Sequence, residues 1–408
     1  MRVCFALIFS VWSSLAIAQT KNEEPFVILV SFDGFRHDYV ERFQLPNFKK
    51  FIQEGSAAAG LIPSFPSKTF PNHYTIVTGL YPGNHGLVDN GFYDPDQEKL
   101  YTMKNREVVT DSSFYGGIPL WQLAKQNGIK SASYFWVGSE LRQENLHPDY
   151  YYSYDQSVPF GNRIDKIIDW LSLPEEERPH MITLYFSSPD YESHRHGPVA
   201  PETKAVVQQM DSLLGVLVHR VDNTKLPVNI VLVSDHGMLE LVDKTETYIF
   251  IDELVKQSST IKVVNGGTQA HLYTRSTTQR DSLASALKKR AKDFSVVVNN
   301  DFPTEWHYVN PRSGDILMIA KPGKYIVSGL KRDHKPSGGT FGVHGYDPAK
   351  VKDMNGIFYA RGPRVKAGMK VPAFSNIHIY PFVAAMLDMP LPPIDGDERV
   401  LNPLLRNK

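Results

Sequence analysis

Residues 25–32 read P-F-V-I-L-V-S-F, a run without polar and apolar alternation. A strand with one wet face alternates, so this run predicts burial on both faces, as in a sheet covered by helices. The texture recurs at 130–137, 180–187, 227–234 and 356–360. Between these runs lie helical patterns at 46–53, 119–126, 160–173 and 202–221, the first two followed by Gly55 and Gly128 as stop signals. Strands alternating with helices predict an α/β fold with a mostly parallel central sheet and helices on both faces. A last helix is expected over 375–387, stopped by the prolines from Pro390 to Pro393. The stretch 91–155 is rich in Tyr and poor in periodicity, which suggests an insertion over one end of the sheet, and a second insertion is expected over 240–340.

In open α/β sheets, ligands bind outside the carboxyl ends of strands. Chemistry stands there three times: Asp33 in S-F-D-G-F-R, Asp190 with His194 in S-S-P-D-Y-E-S-H, and Asp235 with His236 in V-S-D-H-G-M. His344, in G-V-H-G-Y, adds an imidazole flanked by glycines that let the backbone turn sharply. Singly, an Asp after a strand is as readily the cap of the next helix. Together, carboxylates and imidazoles converging at strand ends suit Zn²⁺ or a similar ion. Thr69 stands two residues before Pro71, ahead of a helical pattern over 71–78. Donors and dipole at a helix N-terminus favour a phosphate and a developing alkoxide, and coordination to a metal would activate the hydroxyl. A plain helix cap is the other reading of Thr69.

With 44 basic and 44 acidic residues the chain has no net charge, which leaves no basic footprint for nucleic acid. Its 408 residues would suggest two or three domains at roughly 150 residues each. Residues 1–18 combine Arg2, an apolar run over 5–12, and Ala16-Ile17-Ala18 before Gln19, the pattern of a secretory signal. The run is shorter than the roughly 20 residues that span a bilayer. An exported protein, periplasmic or secreted, with no membrane anchor after cleavage is therefore expected. The sole cysteine, Cys4, lies in the segment to be removed, so the mature chain would hold no disulfide.

Seven ordered blocks carry a resemblance: S-F-D-G-F-R at 31–36, K-T-F-P-N-H-Y at 68–74, T-G-L-Y-P at 78–82, H-G-L-V-D-N at 85–90, S-D-H-G-M at 234–238, H-G-Y-D at 344–347 and I-F-Y-A-R-G-P at 357–363. The chain resembles the nucleotide pyrophosphatase/phosphodiesterases of the alkaline phosphatase superfamily. The likeness implies an alkaline-phosphatase-like fold, with one catalytic domain over 19–408 in place of several. It also implies two Zn²⁺ per chain, one held by Asp33, Thr69, Asp235 and His236, the other by Asp190, His194 and His344. Thr69 would attack phosphorus to form a phosphothreonyl ester, which water then releases as a monoester. Asn90 matches the family's amide donor to a phosphoryl oxygen. Phe70 and Tyr154 would stack on a nucleobase, worth roughly 1–3 kcal/mol per base, although both rings could instead fill core. Lys68 would help hold phosphate. His194 fits the pattern better than His196, and His73 reads as structural.

The resemblance thus implies hydrolysis of small-molecule nucleotides and phosphodiesters to nucleoside 5′-monophosphates. Two departures stand out. Val137 in W-V-G-S replaces the proline of W-P-G-S, and the chain lacks the cysteines of the disulfide-rich domains that flank vertebrate members, which suggests a bacterial enzyme. A choline phosphodiesterase of the same family is an alternative that would need an aromatic or acidic cage. A sulfatase would need a Cys or Ser in C/S-x-P-x-R, where this chain has Thr69-Phe70-Pro71. An inactive nucleotide- or metal-binding protein is the alternative of another class, and the intact ligand set speaks against it.

Overall fold

The computed structural model describes residues 24–406, so the expected signal segment and Cys4 lie outside the described residues. Strands β1 (Phe26–Phe32), β2 (Ser56–Ala58), β3 (Ser131–Tyr134), β4 (Tyr150–Tyr152), β5 (Met181–Phe186), β6 (Val228–Val233), β11 (Phe358–Arg361) and β12 (Lys370–Val371) form one eight-stranded sheet. Its order is β12-β2-β11-β6-β1-β5-β3-β4. From β6 to β4 every pairing is parallel, while β11 runs antiparallel to both β6 and β2. The sheet is therefore mixed at one side, where the 356–360 run forms the antiparallel β11, and parallel where the other four apolar runs lie.

The lack of alternation in β1 has the expected cause. All seven of its residues are buried. Phe26, Ile28, Val30 and Phe32 enter one apolar layer and Val27 and Leu29 the other. Helices α1 (Pro46–Glu54), α4 (Phe160–Leu171) and α6 (Pro201–Thr224) cover the first face through Phe48, Ile167 and Leu214. Helices α2 (Thr69–Thr78), α3 (Leu120–Gln126) and α7 (Ile379–Met386) cover the second through Ile76, Trp121 and Phe382. Burying each such side chain contributes about 1.5–3 kcal/mol, and the two layers together hold the sheet rigid.

Some expected boundaries shift. Helix α2 begins at Thr69 rather than Pro71, because the first four N–H groups of a helix need no intrahelical partner and a proline is tolerated there. Gly128 has the left-handed φ of a stop signal, but Gly55 is extended and serves close packing: a Cβ there would lie 2.2 Å from the Ala360 carbonyl oxygen. The stretch 91–155 includes α3, β3 and the edge strand β4 of the main sheet as well as a hairpin, Gly91–Asp94 with Lys99–Thr102. Within 240–340, strands β7 (Ile261–Asn265), β8 (Gln269–Thr274), β9 (Phe294–Val298) and β10 (Ile316–Ala320) form a separate antiparallel sheet, ordered β7-β8-β10-β9, with its own apolar core.

Candidate active site

Because β6, β1 and β5 run parallel and pair Ser31 with Val233 and Phe32 with Phe186, their carboxyl ends emerge side by side. Asp33 follows β1 directly, Asp235 and His236 follow β6, and Asp190 opens the short helix α5 (Asp190–His196) after β5. One turn along that helix, His194 falls on the same face as Asp190, as i and i+4 must, and His196 does not. His344 comes from the end of a strand, Thr340–Val343, that pairs with Leu239–Val242. The turn after it needs glycine: at Gly345, φ is +116° and a Cβ would lie 2.1 Å from Thr268 Oγ1.

These six side chains form two groups, Asp33 with Asp235 and His236, and Asp190 with His194 and His344, the ligand atoms of each lying within 4.8 Å of one another. His236 Nε2 is 3.0 Å from Asp235 Oδ2 and 3.6 Å from Asp33 Oδ1. His194 Nε2 and His344 Nε2 are 3.4 and 3.8 Å from Asp190 Oδ1. Donors around a tetrahedral ion with bonds of about 2.1 Å are spaced by roughly 3.4 Å, so both groups have the size of a zinc site. The groups adjoin, since the rings of His236 and His344 stack with centroids 3.5 Å apart.

Protonation fits the same chemistry. Each imidazole turns Nδ1 to a carbonyl oxygen at 2.8 Å, His194 to Gly342, His236 to Gly237 and His344 to Ser67. A carbonyl only accepts, so Nδ1 carries the proton and the Nε2 lone pair faces the group, the outer-shell arrangement of a metal-bound histidine. Burial and the nearby imidazoles of His236 and His194 hold His344 well below the ordinary histidine range, hence neutral. The carboxylates are divided likewise. Tyr185 donates its hydroxyl to Asp33 Oδ2 at 2.6 Å, and the Gly34 N–H donates to Asp235 Oδ1 at 3.2 Å. The other oxygens, Asp33 Oδ1 and Asp235 Oδ2, are buried without a hydrogen-bond partner, as is Asp190 Oδ1. Burial, with Asp235 and Asp190 close by, pushes the Asp33 carboxyl far up. Unpaired buried carboxylate oxygens facing one another are costly unless a cation joins them.

Thr69 is the first residue of α2, and its Oγ1 lies 3.2 Å from His236 Nε2. The Phe70 N–H donates to Asn90 Oδ1 at 2.8 Å, which commits that oxygen and makes the NH₂ the donor end of the amide. His73, read as structural, is so placed: it is buried, with Nε2 2.8 Å from Ser31 Oγ and Nδ1 2.9 Å from the Thr69 carbonyl oxygen. The buried Lys68 ammonium donates to the carbonyl oxygens of Gly266 and His344, at 2.6 and 3.2 Å, and so ties two loops together beside the second ligand group.

A cavity of about 270 Å³ opens from Thr69, Asp33 and Asp190 and is walled by Phe70 and Tyr154. An ion pair, Arg106 with Glu140, also lines it, and Glu140 accepts the Tyr154 N–H. Val137 lies on the wall, while its neighbour Trp136 donates Nε1–H to the His73 carbonyl oxygen at 3.0 Å and braces α2. Sequence reasoning missed Tyr185, Arg106 and Glu140. Of these only Tyr185 leaves a trace, a lone phenol in the apolar run of β5.

The architecture has counterparts among known proteins. The model of the family described as type I phosphodiesterase / nucleotide pyrophosphatase matches residues 27–347. A venom phosphodiesterase of Macrovipera lebetinus is 33% identical over 406 residues, covering 97% of this chain and 47% of its own length. Ectonucleotide pyrophosphatase/phosphodiesterase family member 1 of Homo sapiens is 33% identical over 397 residues, covering 94% of this chain and 42% of its own. The chain thus spans about half the length of these curated relatives. Among solved structures, murine ectonucleotide pyrophosphatase / phosphodiesterase 5, an inactive variant in complex with AMP, superposes with a TM-score of 0.86 at 30% identity, covering 94% of this chain and all of that one. The α/β architecture is therefore shared with a solved enzyme along nearly its whole length. The chain belongs to the type I phosphodiesterase / nucleotide pyrophosphatase family. These relatives are animal proteins and lend no support to a bacterial origin.

Proposed function

We propose that this protein is a two-zinc phosphodiesterase and pyrophosphatase that hydrolyses nucleotides and phosphodiesters to nucleoside 5′-monophosphates through a phosphothreonyl intermediate. The observation that carries the reading is the pair of ligand groups with three orphaned carboxylate oxygens, set against a threonine at a helix N-terminus. Asp33, Thr69, Asp235 and His236 would hold one zinc, and Asp190, His194 and His344 the other. When bound, such ions lower the pKa of a coordinated hydroxyl and neutralise charge on a phosphoryl group.

The chain's own residues then account for the remaining work. The Thr69 oxygen bonds to phosphorus as the bond to the leaving group breaks, and water later cleaves the Thr69–phosphorus ester. Asn90 donates to a phosphoryl oxygen, a contact that gains strength as negative charge grows there. Phe70 and Tyr154, on the walls of one cavity, would hold a base between them; a relative solved in complex with AMP supports a nucleotide as the class of ligand. A choline reading gains an acidic candidate in Glu140, but Arg106 already compensates its charge, which favours a neutral base over a quaternary ammonium. Action outside the cytoplasm belongs to the same proposal: the first eighteen residues suggest export and one relative is named for venom. No helix among the described residues is long and apolar enough to cross a membrane.

The test is hydrolysis of the nitrophenyl ester of thymidine monophosphate, with glycerophosphocholine beside it. Thr69→Ala is expected to lower kcat on the order of 10³-fold or more, as loss of a nucleophile does. Activity retained within tenfold would overturn the proposal, and preference for glycerophosphocholine would redirect it.

A further inference from the structure

The four-stranded sheet stands outside the reaction described so far, yet it holds one end of the active site. Asp89, the residue before Asn90, is fully buried and reaches across to strand β8. Its Oδ2 lies 3.0 Å from His271 Nε2 and accepts the side-chain N–H of Gln269, while its Oδ1 accepts the Asn90 backbone N–H at 2.6 Å. His271 Nδ1 lies 2.9 Å from the Ser313 carbonyl oxygen. The Asp89 carboxylate and the Ser313 carbonyl oxygen only accept, so both ring nitrogens of His271 donate, Nε2 to Asp89 and Nδ1 to Ser313, and the pair of bonds fixes the ring's orientation. Burial alone would push the Asp89 carboxyl up. The bonds from His271 and Gln269 and the Lys68 charge instead hold it below the usual range, so it remains an acceptor.

The network continues into the metal-group loops. Thr268 donates to Gln269 Oε1 at 2.5 Å and sits 3.4 Å from the His344 carbonyl oxygen, while Lys68 spans Gly266 and His344. There is no slack at this seam, because a Cβ on Gly266 would lie 2.7 Å from Asp89 Oδ2.

We infer that Asp89, gripped by His271 and Gln269, is a positioning residue that fixes Asn90 against the phosphoryl group, so that the antiparallel sheet is part of the catalytic apparatus. The inference rests on the role proposed for Asn90. Asn90 is held at two points, its backbone N–H on Asp89 and its Oδ1 on the Phe70 N–H. Releasing the first lets the amide drift from the oxygen it must meet, and a displacement near 1 Å can cost about 10²-fold in rate.

The experiment compares kcat and KM of the zinc-loaded full chain on the thymidine ester for His271→Asn, His271→Gln, Asn90→Ala and the double variant His271→Asn with Asn90→Ala. Asn can reproduce the Nδ1 bond to Ser313 but not the Nε2 bond to Asp89, whereas Gln can reach Asp89. Expected are a fall in kcat of about tenfold or more for His271→Asn with KM within about twofold, recovery in His271→Gln, and no further loss when His271→Asn is added to Asn90→Ala. A purely structural role would lower the melting temperature of both His271 variants alike without separating kcat from KM. If Asn90→Ala lowers kcat and His271→Asn does not, the inference is overturned and the role of Asn90 stands. If Asn90→Ala leaves kcat unchanged, both are overturned. Should His271→Asn fail to fold, Gln269→Leu removes the other donor to the same oxygen and carries the same expected and contrary results.

Discussion

Tyr185 shows how a residue outside the ligand set can govern it. Its hydroxyl fixes Asp33 Oδ2 at 2.6 Å and so presents Oδ1, the oxygen without a partner, to the metal group. Removing such a support commonly weakens metal affinity by about 10–100-fold. Tyr185→Phe, which keeps the ring and its packing, should therefore lose zinc to a competing chelator at about 10–100-fold lower chelator concentration than the parent; an unchanged titration would show that the bond does not orient Asp33. At this scale the candidate ligands were legible because most of them follow an apolar run, where a sheet must end and a polar group can gather. Tyr185, Asp89 and His271 were not. Asp89 and His271 lie 182 positions apart and meet only because the loop before the Gly91–Asp94 strand packs on strand β8, a fact no local pattern carries.

At the scale of elements, the second half of α2 is held by a histidine that does no chemistry. His85 ends a one-turn helix, Pro82–His85, and is fully buried. The Leu87 N–H donates to its Nδ1 at 3.2 Å, so Nε2 carries the proton toward Thr75 Oγ1 on α2, at 2.9 Å. Burial lowers its pKa to about 3. The unfolded chain takes up a proton near pH 6.5 and the folded one does not. The stability this neutral ring contributes is thus complete above about pH 6.5 and is lost as pH falls toward 3, by about 2 kcal/mol at pH 5. Melting temperatures between pH 7 and pH 5 should fall less steeply in His85→Gln than in the parent; equal slopes would contradict this. The elements themselves were largely readable, since strands buried on both faces and helices of 3.6-residue period write their environment into the sequence. Strand β4 was not, because an edge strand of three tyrosines, two of them exposed at 38% and 40%, has only one side to bury and shows no apolar run. The antiparallel sheet was seen only as an insertion, because its strands are short and packed on a core of their own.

At the scale of the whole molecule, the parallel sheet delivers three carboxylates to one end, and loops from the smaller sheet and from Thr340–Val343 close around them. Neither layer makes the site alone: Asp190 and His194 come from the first, His344 and the grip on Asp89 from the second. The central claim is that these parts hold two metal ions at once, one in each group. The direct measurement is metal content by mass spectrometry of the protein after zinc loading and removal of loosely bound ion. Two zinc ions per chain are expected, falling to one in His344→Ala, where the Asp190 group loses an imidazole and the Asp33 group keeps all its members. A parent that holds fewer than one zinc, or a His344→Ala variant that still holds two, would contradict the account.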